Sequence, residues 1–223
     1  RGGLVTWSYA ELVDDVGAGA RALARAGIGK GDVVALFAEN QPEWIATCLA
    51  ALRLGAVLAP IDTQPSPQTL EHILADSGAK LIAVTATTAA RLDGIRGAPA
   101  QIRIDDEALW QGAGDETAPA TITAHPDETA ILFYTSGTTG PPKGVPLSHT
   151  NLVFQLEALI QARIVSATDR VLMPLPMHHV FPLVIGILAP LSLKLPIILP
   201  RGMTGSHIAT ALREGEATVV IGV

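Results

Sequence analysis

Short apolar runs alternate with helix-patterned stretches along this chain, and that alternation limits the fold more than any other feature. Val33-Val-Ala-Leu-Phe37 is continuously apolar over the length of one strand, and Val57-Leu-Ala-Pro-Ile61 and Lys80-Leu-Ile-Ala-Val84, apolar after its lysine, read as two more short strands. Helix signals separate them. Ser8 can cap a helix that runs through Val16 to about Ala26, with Gly27 as its stop. Pro42 stands near the start of a helix carrying Trp44 and Leu52, and Ser66 or Pro67 opens another through Leu70, Ile73 and Leu74. Strands that are apolar throughout, joined by helices, predict an α/β fold with a mostly parallel sheet flanked by helices on both faces. From Thr85 to Pro126 the pattern weakens, with short pieces at Ala89–Leu92 and Gln101–Ile104. It returns as a strand at Thr129–Tyr134, a helix from about Ser148 to Arg163, and a strand at Arg170–Met173. A helix near Val180–Leu193, a strand at Leu195–Leu199, a helix at Gly205–Arg213 and a strand at Thr218–Ile221 follow.

The strand ending at Tyr134 runs into a loop with unusual chemistry, Thr135-Ser-Gly-Thr-Thr-Gly-Pro-Pro-Lys143. Gly137, Gly140 and Gly144 let backbone turn tightly and approach a ligand without a Cβ in the way. Thr135, Ser136, Thr138 and Thr139 bring hydroxyl donors, loop amides add more, and Lys143 brings a point positive charge. These parts suit a polyphosphate. The order is not that of a Walker loop, because Pro141 and Pro142 separate Gly140 from Lys143 and Gly144 follows the lysine. A Rossmann glycine pattern is missing too, and no Gly-x-Ser-x-Gly elbow supports a serine hydrolase. Ligands of parallel sheets bind beyond the carboxyl ends of the strands, which is where this loop falls.

Tyr134-Thr-Ser-Gly-Thr-Thr-Gly-Pro-Pro-Lys-Gly-Val145 resembles the phosphate-binding signature of the adenylate-forming (AMP-binding) superfamily, which includes acyl-CoA synthetases, firefly-type luciferases and peptide-synthetase adenylation domains. The likeness extends to Thr6–Leu12, to Gly31–Phe37 with Asn40–Trp44, to Leu54–Asp62 and to Leu175-Pro-Met-His-His-Val-Phe181. The resemblance implies an ATP-dependent acid–CoA ligase. A carboxylate would attack the α-phosphorus of ATP, pyrophosphate would leave, and coenzyme A would capture the acyl group. It implies that Thr135, Ser136, Gly137, Thr138, Thr139, Gly140 and Lys143 hold the β- and γ-phosphates, that Thr135 lies on or near Mg²⁺, and that His179 lines the acyl pocket. The family's later adenine, ribose and lid segments do not appear before Val223. The expectation is therefore that residues 1–223 are a partial N-terminal AMP-binding domain without the C-terminal lid domain. Such a piece would be inactive alone and prone to self-association through its truncated face. Amino-acid-activating relatives place an Asp near the histidine segment, and Pro176–Pro182 has no acid. The His-His-Val-Phe form before a long apolar helix is similar to long-chain fatty acyl-CoA synthetases. An aryl acid or another adenylated acid stays open, as do a nucleotide-binding module without turnover and a phosphotransferase that releases ADP.

Composition narrows the remaining classes. The net charge of −6 over 223 residues gives no reason to expect nucleic acid or an anionic membrane as partner. Cys48 is the only cysteine, so no intrachain disulfide can form, and its apolar helical setting reads as a buried structural thiol. The six histidines lack metal-ligand spacing. Trp7, Tyr9, Trp44 and Trp110 read as packing residues. Val180–Pro200 is apolar, but its four prolines and Lys194 divide it into a helix and a short strand instead of a membrane span. With no leader pattern visible, the expected location is the cytoplasm.

Overall fold

The computed structural model describes residues 4–111, 119–135 and 140–222. The chain forms two compact units, one from Trp7 to His149 and the other from the residues up to Thr6 with those from Thr150 on.

In the first unit, α1 (Tyr9–Arg25) begins with a reciprocal cap. The Ser8 hydroxyl accepts from the Glu11 amide at 3.1 Å, and the Ser8 amide donates to the Glu11 carboxylate at 2.6 Å. β1 (Val33–Phe37) leads to α2 (Pro42–Arg53), whose first residue is a proline that has no amide to leave unsatisfied. β2 (Val57–Pro60), α3 (Pro67–Ser77, capped by the Ser66 hydroxyl) and β3 (Leu81–Val84) continue the alternation. α4 (Ala86–Ala89) is followed by a 3₁₀ turn, then β4 (Ala100–Arg103) and α5 (Glu107–Gln111). β5 (Thr129–Thr135) and β6 (Lys143–Ser148) close the unit.

These six strands form one sheet in the order β4-β3-β1-β2-β5-β6. Every pairing is parallel except β5 with β6. Both faces are covered. Ala35, Phe37, Ile82 and Val84 pack with Leu70, Ile73 and Leu74 of α3. Their alternate neighbours Val34, Leu36 and Ala83 are also fully buried, so the opposite face is covered as well. The predicted α/β sheet is thus present. β6 is the departure, because the sequence pattern led from the loop directly to a helix at Ser148. Lys143-Gly-Val-Pro-Leu-Ser148 carries a lysine, a glycine and a proline and has weak strand character. It pairs nonetheless because it is the edge strand, where Pro146 need serve only one neighbour.

The second unit holds α6 (His149–Ala162, from Thr150 on), β7 (Val171–Leu172), a π-helix over Pro182–Leu188, α7 (Ala189–Ser192), β8 (Ile197–Ile198), α8 (Gly205–Glu214) and β9 (Val219–Val220). Its three strands are parallel in the order β8-β7-β9. Val171 packs with Leu195 and Ile221, while Leu172 packs with Ile198 and Ala211, so this small sheet is apolar on both sides. The helix expected near Val180–Leu193 is present, but most of it is wound as π. The Ala189 amide donates to the Val184 carbonyl, five residues back. Gly186 lies in that segment, and a Cβ there would land on Met173 Cγ with Sδ at 3.2 Å. Met173 has no exposed surface into which to retreat. Gly186→Ala should therefore cost about 1–3 kcal/mol by overpacking. A chemical-denaturation midpoint equal to wild type would show that the contact can relax.

The aromatic residues divide. Trp44 is fully buried and Trp110 donates its indole N–H to the Ile104 carbonyl at 2.8 Å. Trp7 and Tyr9, expected to pack, are each 41% exposed, and Trp7 is held by a hydrogen bond to Asp15 at 3.1 Å. Among the described residues no helix is long and apolar enough to cross a membrane.

Candidate active site

The loop of interest is the tip of a β-hairpin. β5 and β6 run antiparallel in the register Phe133↔Val145, Tyr134↔Gly144 and Thr135↔Lys143. Directly opposed residues project to the same side of a sheet, so the first threonine of the loop and its lysine stand side by side. Both are exposed, as are Gly140 and Pro141 on the returning limb. Ser136, Gly137, Thr138 and Thr139, the other expected phosphate contacts, lie outside the described residues. Gly144, expected to help the loop turn, is instead a strand residue. A Cβ there would sit 3.1 Å from Leu132 Cδ1 and 3.5 Å from the Tyr134 ring, so its bareness makes room for the neighbouring strand's side chains.

α3 braces this hairpin. Tyr134 packs against the apolar cluster that includes Leu70, Ile73 and Leu74, and its hydroxyl donates to Asp76 at 2.8 Å. Burial, and then the Asp76 carboxylate, raise the Tyr134 hydroxyl above the ordinary tyrosine range, so it stays a donor. His72, one helical turn before Asp76, places Nε2 2.8 Å from the Pro142 carbonyl oxygen. In the sequence His72 is one of the scattered histidines without ligand spacing. Its partner is 70 residues away, and only the pairing of β5 with β6 brings the two together.

β5 is parallel to β2, so the hairpin tip lies at the carboxyl end of the parallel strands. At that end the segments following the paired strands β1 and β3 bond to each other. The Thr88 hydroxyl donates to the Phe37 carbonyl at 2.5 Å, and the Thr85 hydroxyl donates to Glu39 at 2.7 Å. Cys48 is buried in α2, and burial pushes its thiol up to about 12, which agrees with a packing role and removes it as a nucleophile.

His179 belongs to the second unit. It sits in the turn before the π-helix, where its carbonyl accepts from the Leu183 amide at 3.1 Å. Its ring is exposed and lies 4.1 Å, centroid to centroid, from that of His178 at an angle of 52°. Val180 and Phe181 follow it and are exposed too, at 46% and 39%.

A hairpin tip pairing a hydroxyl with a lysine, on a parallel sheet, agrees with the match of residues 2–223 to the family described as AMP-binding enzyme. The chain belongs to this AMP-binding family. It is 32% identical over 226 residues to a feruloyl-CoA synthase of Amycolatopsis sp, a match that takes in all of this chain and 45% of that protein. It is 35% identical over 185 residues to the long-chain-fatty-acid–CoA ligase FadD13 of Mycobacterium tuberculosis, covering 79% of this chain and 36% of the relative. The inhibitor-bound N-terminal domain of FACL13 from the same organism superposes with a TM-score of 0.88 at 29% identity, over 97% of this chain and 56% of that one. The chain thus spans less than half the length of these curated relatives.

For an AMP-binding enzyme the ligand at the hairpin would be an anion. Two exposed side chains, one hydroxyl and one ammonium on the same side of the ladder, fit a solvated polyphosphate. A divalent cation fits less directly. Among the described residues no three His, Cys, Asp or Glu side chains converge. The Thr135 hydroxyl could give Mg²⁺ one oxygen ligand, and that ion commonly takes further oxygens from bound phosphate and water.

Proposed function

We propose that this chain is the N-terminal, phosphate-handling part of an AMP-forming carboxylic acid–CoA ligase. The observation that carries the reading is Thr135 standing opposite Lys143 at the open end of the β5–β6 hairpin, in a chain of the AMP-binding family. Carboxylate and ATP repel each other, and negative charge gathers on pyrophosphate as it leaves. Lys143 offsets part of that charge, and Thr135 donates to or orients the same phosphates. Ser136, Gly137, Thr138, Thr139 and Gly140 complete the contact by virtue of their place in the same loop. Thr135 would lie on or near Mg²⁺ bound with ATP, and the ion would supply further neutralisation of phosphate charge there. Catalysis on this reading is positioning and electrostatics, with no covalent step on the protein. The residues that align the carboxylate with the α-phosphorus, and those that admit coenzyme A, would come from parts of the protein beyond these 223 residues.

The acid is a long-chain fatty acid on this reading. The His178-His179-Val-Phe181 segment offers no carboxylate to pair with a substrate ammonium, and Val180 and Phe181 expose apolar surface beside His179. Similarity to a long-chain-fatty-acid–CoA ligase supports it, while the whole-chain match to a feruloyl-CoA synthase keeps that second acyl class in play. Acid-dependent ATP–pyrophosphate exchange over a series of fatty and aryl acids separates them. Activity with aryl acids alone would discard the fatty-acid assignment. His179→Ala should change the KM for the acid or the chain-length profile by about threefold or more, with little change in the KM for ATP. An equal change in both would take His179 out of the acyl pocket.

A further inference from the structure

The returning limb of the hairpin has few ways to be held. Pro141 and Pro142 have no amide hydrogen, so between Gly140 and the ladder pair at Lys143 that limb can be fixed only through carbonyls or packing. One of those carbonyls is held. His72 lies 2.8 Å from the Pro142 oxygen, and since a carbonyl only accepts, Nε2 must carry the hydrogen. His72 and Asp76 are four residues apart and share one face of α3. Asp76 fixes the outgoing limb through Tyr134 while His72 fixes the returning one.

We infer that His72 is a positioning residue for Lys143, holding the Pro142–Lys143 peptide so that the lysine side chain starts from a fixed point. The inference rests on the reading that Lys143 meets the phosphates of ATP. A lysine has a long flexible stem, and its ammonium is no better placed than its Cα. Loss of the His72 contact should not unfold the hairpin. Tyr134 remains anchored to Asp76 and packed on α3, and the ladder from Phe133 to Thr135 is untouched. What changes is the aim of Lys143, and small displacements of a catalytic cation are costly in rate.

The test is a double-mutant cycle in the full-length protein that carries this chain. Wild type, His72→Ala, His72→Gln, Lys143→Ala and the His72→Ala/Lys143→Ala pair are compared by acid-dependent ATP–pyrophosphate exchange and by titration with a fluorescent ATP analogue. His72→Ala should lower kcat/KM for ATP about tenfold. In the Lys143→Ala background the same change should matter by less than about twofold, because nothing is left to aim. His72→Gln, which keeps an N–H donor, should recover most of the rate. A merely structural histidine would give the same fold-loss in both backgrounds, and that result, or no loss at all, overturns the inference. If wild type binds the analogue but catalyses no exchange, the ligase reading falls, and the same cycle on the analogue's Kd decides the role of His72. If wild type binds no analogue, both fall together.

Discussion

Lys143→Ala, made in the full-length protein, should depress acid-dependent ATP–pyrophosphate exchange by at least about tenfold, or roughly 1.4 kcal/mol of transition-state stabilisation. The lysine is exposed at the end of an edge strand, so its removal leaves no cavity. Its backbone is held by pairing with Thr135 and by the His72 contact to the Pro142 carbonyl, both of which alanine preserves. A fall in exchange with an unchanged thermal midpoint therefore reports lost charge at the phosphates and not lost fold. Lys143→Arg should recover only part of the rate, since a planar fork does not replace a compact ammonium. Exchange kinetics unchanged in Lys143→Ala would remove the lysine from the mechanism and leave the hairpin without its proposed work.

The largest expected effect on stability comes from Trp44→Ala. Trp44 is the largest of the fully buried side chains and lies in the first turn of α2, a helix that packs against α1 and the sheet. Emptying that volume should cost about 3–5 kcal/mol, the transfer energy of the indole plus the cavity it leaves. Native domains hold only about 5–15 kcal/mol of stability, so this loss takes a large share of it. A loss below about 1 kcal/mol in urea unfolding would mean that α2 collapses into the space. Trp7→Ala is the matched control. Its ring is substantially exposed, and the change should cost far less.

How much of this could be read from the residues depends on the range of the interaction that decides each feature. α1, α2 and α3 announce themselves because their caps, Ser8 with Glu11, Pro42, and Ser66 with Pro67, are local chemistry. β1, β2 and β3 are legible as unbroken apolar runs. β6 is not, because a strand bearing Lys143, Gly144 and Pro146 exists only through its partner β5. The π-helix reads as an ordinary helix, since apolar composition carries no record of which carbonyl each amide reaches. Within the site, Thr135 and Lys143 are visible as a motif, but their side-by-side register is not. His72 is invisible altogether, because neither its neighbours in α3 nor its spacing from the other histidines shows that a carbonyl 70 residues away awaits it.

Tying both ends of the loop to one ladder pair makes the tip and its stem respond differently to changes in length. A residue added between Thr135 and Lys143 is absorbed by the loop, for the pair that closes it need not move. A residue added between Lys143 and the helix that starts at His149 must be taken up by a bulge, as Ala130 is between Thr129 and Ile131, or it displaces the register. Where the register of β6 slips by one instead, the side chains between the added residue and the loop cross to the other side of the sheet. Lys143 would then point toward α3, where Tyr134 now packs, and the solvent side would lose its cation. Length variation among natural or engineered versions of this segment should accordingly gather within the tip and be excluded from the stem.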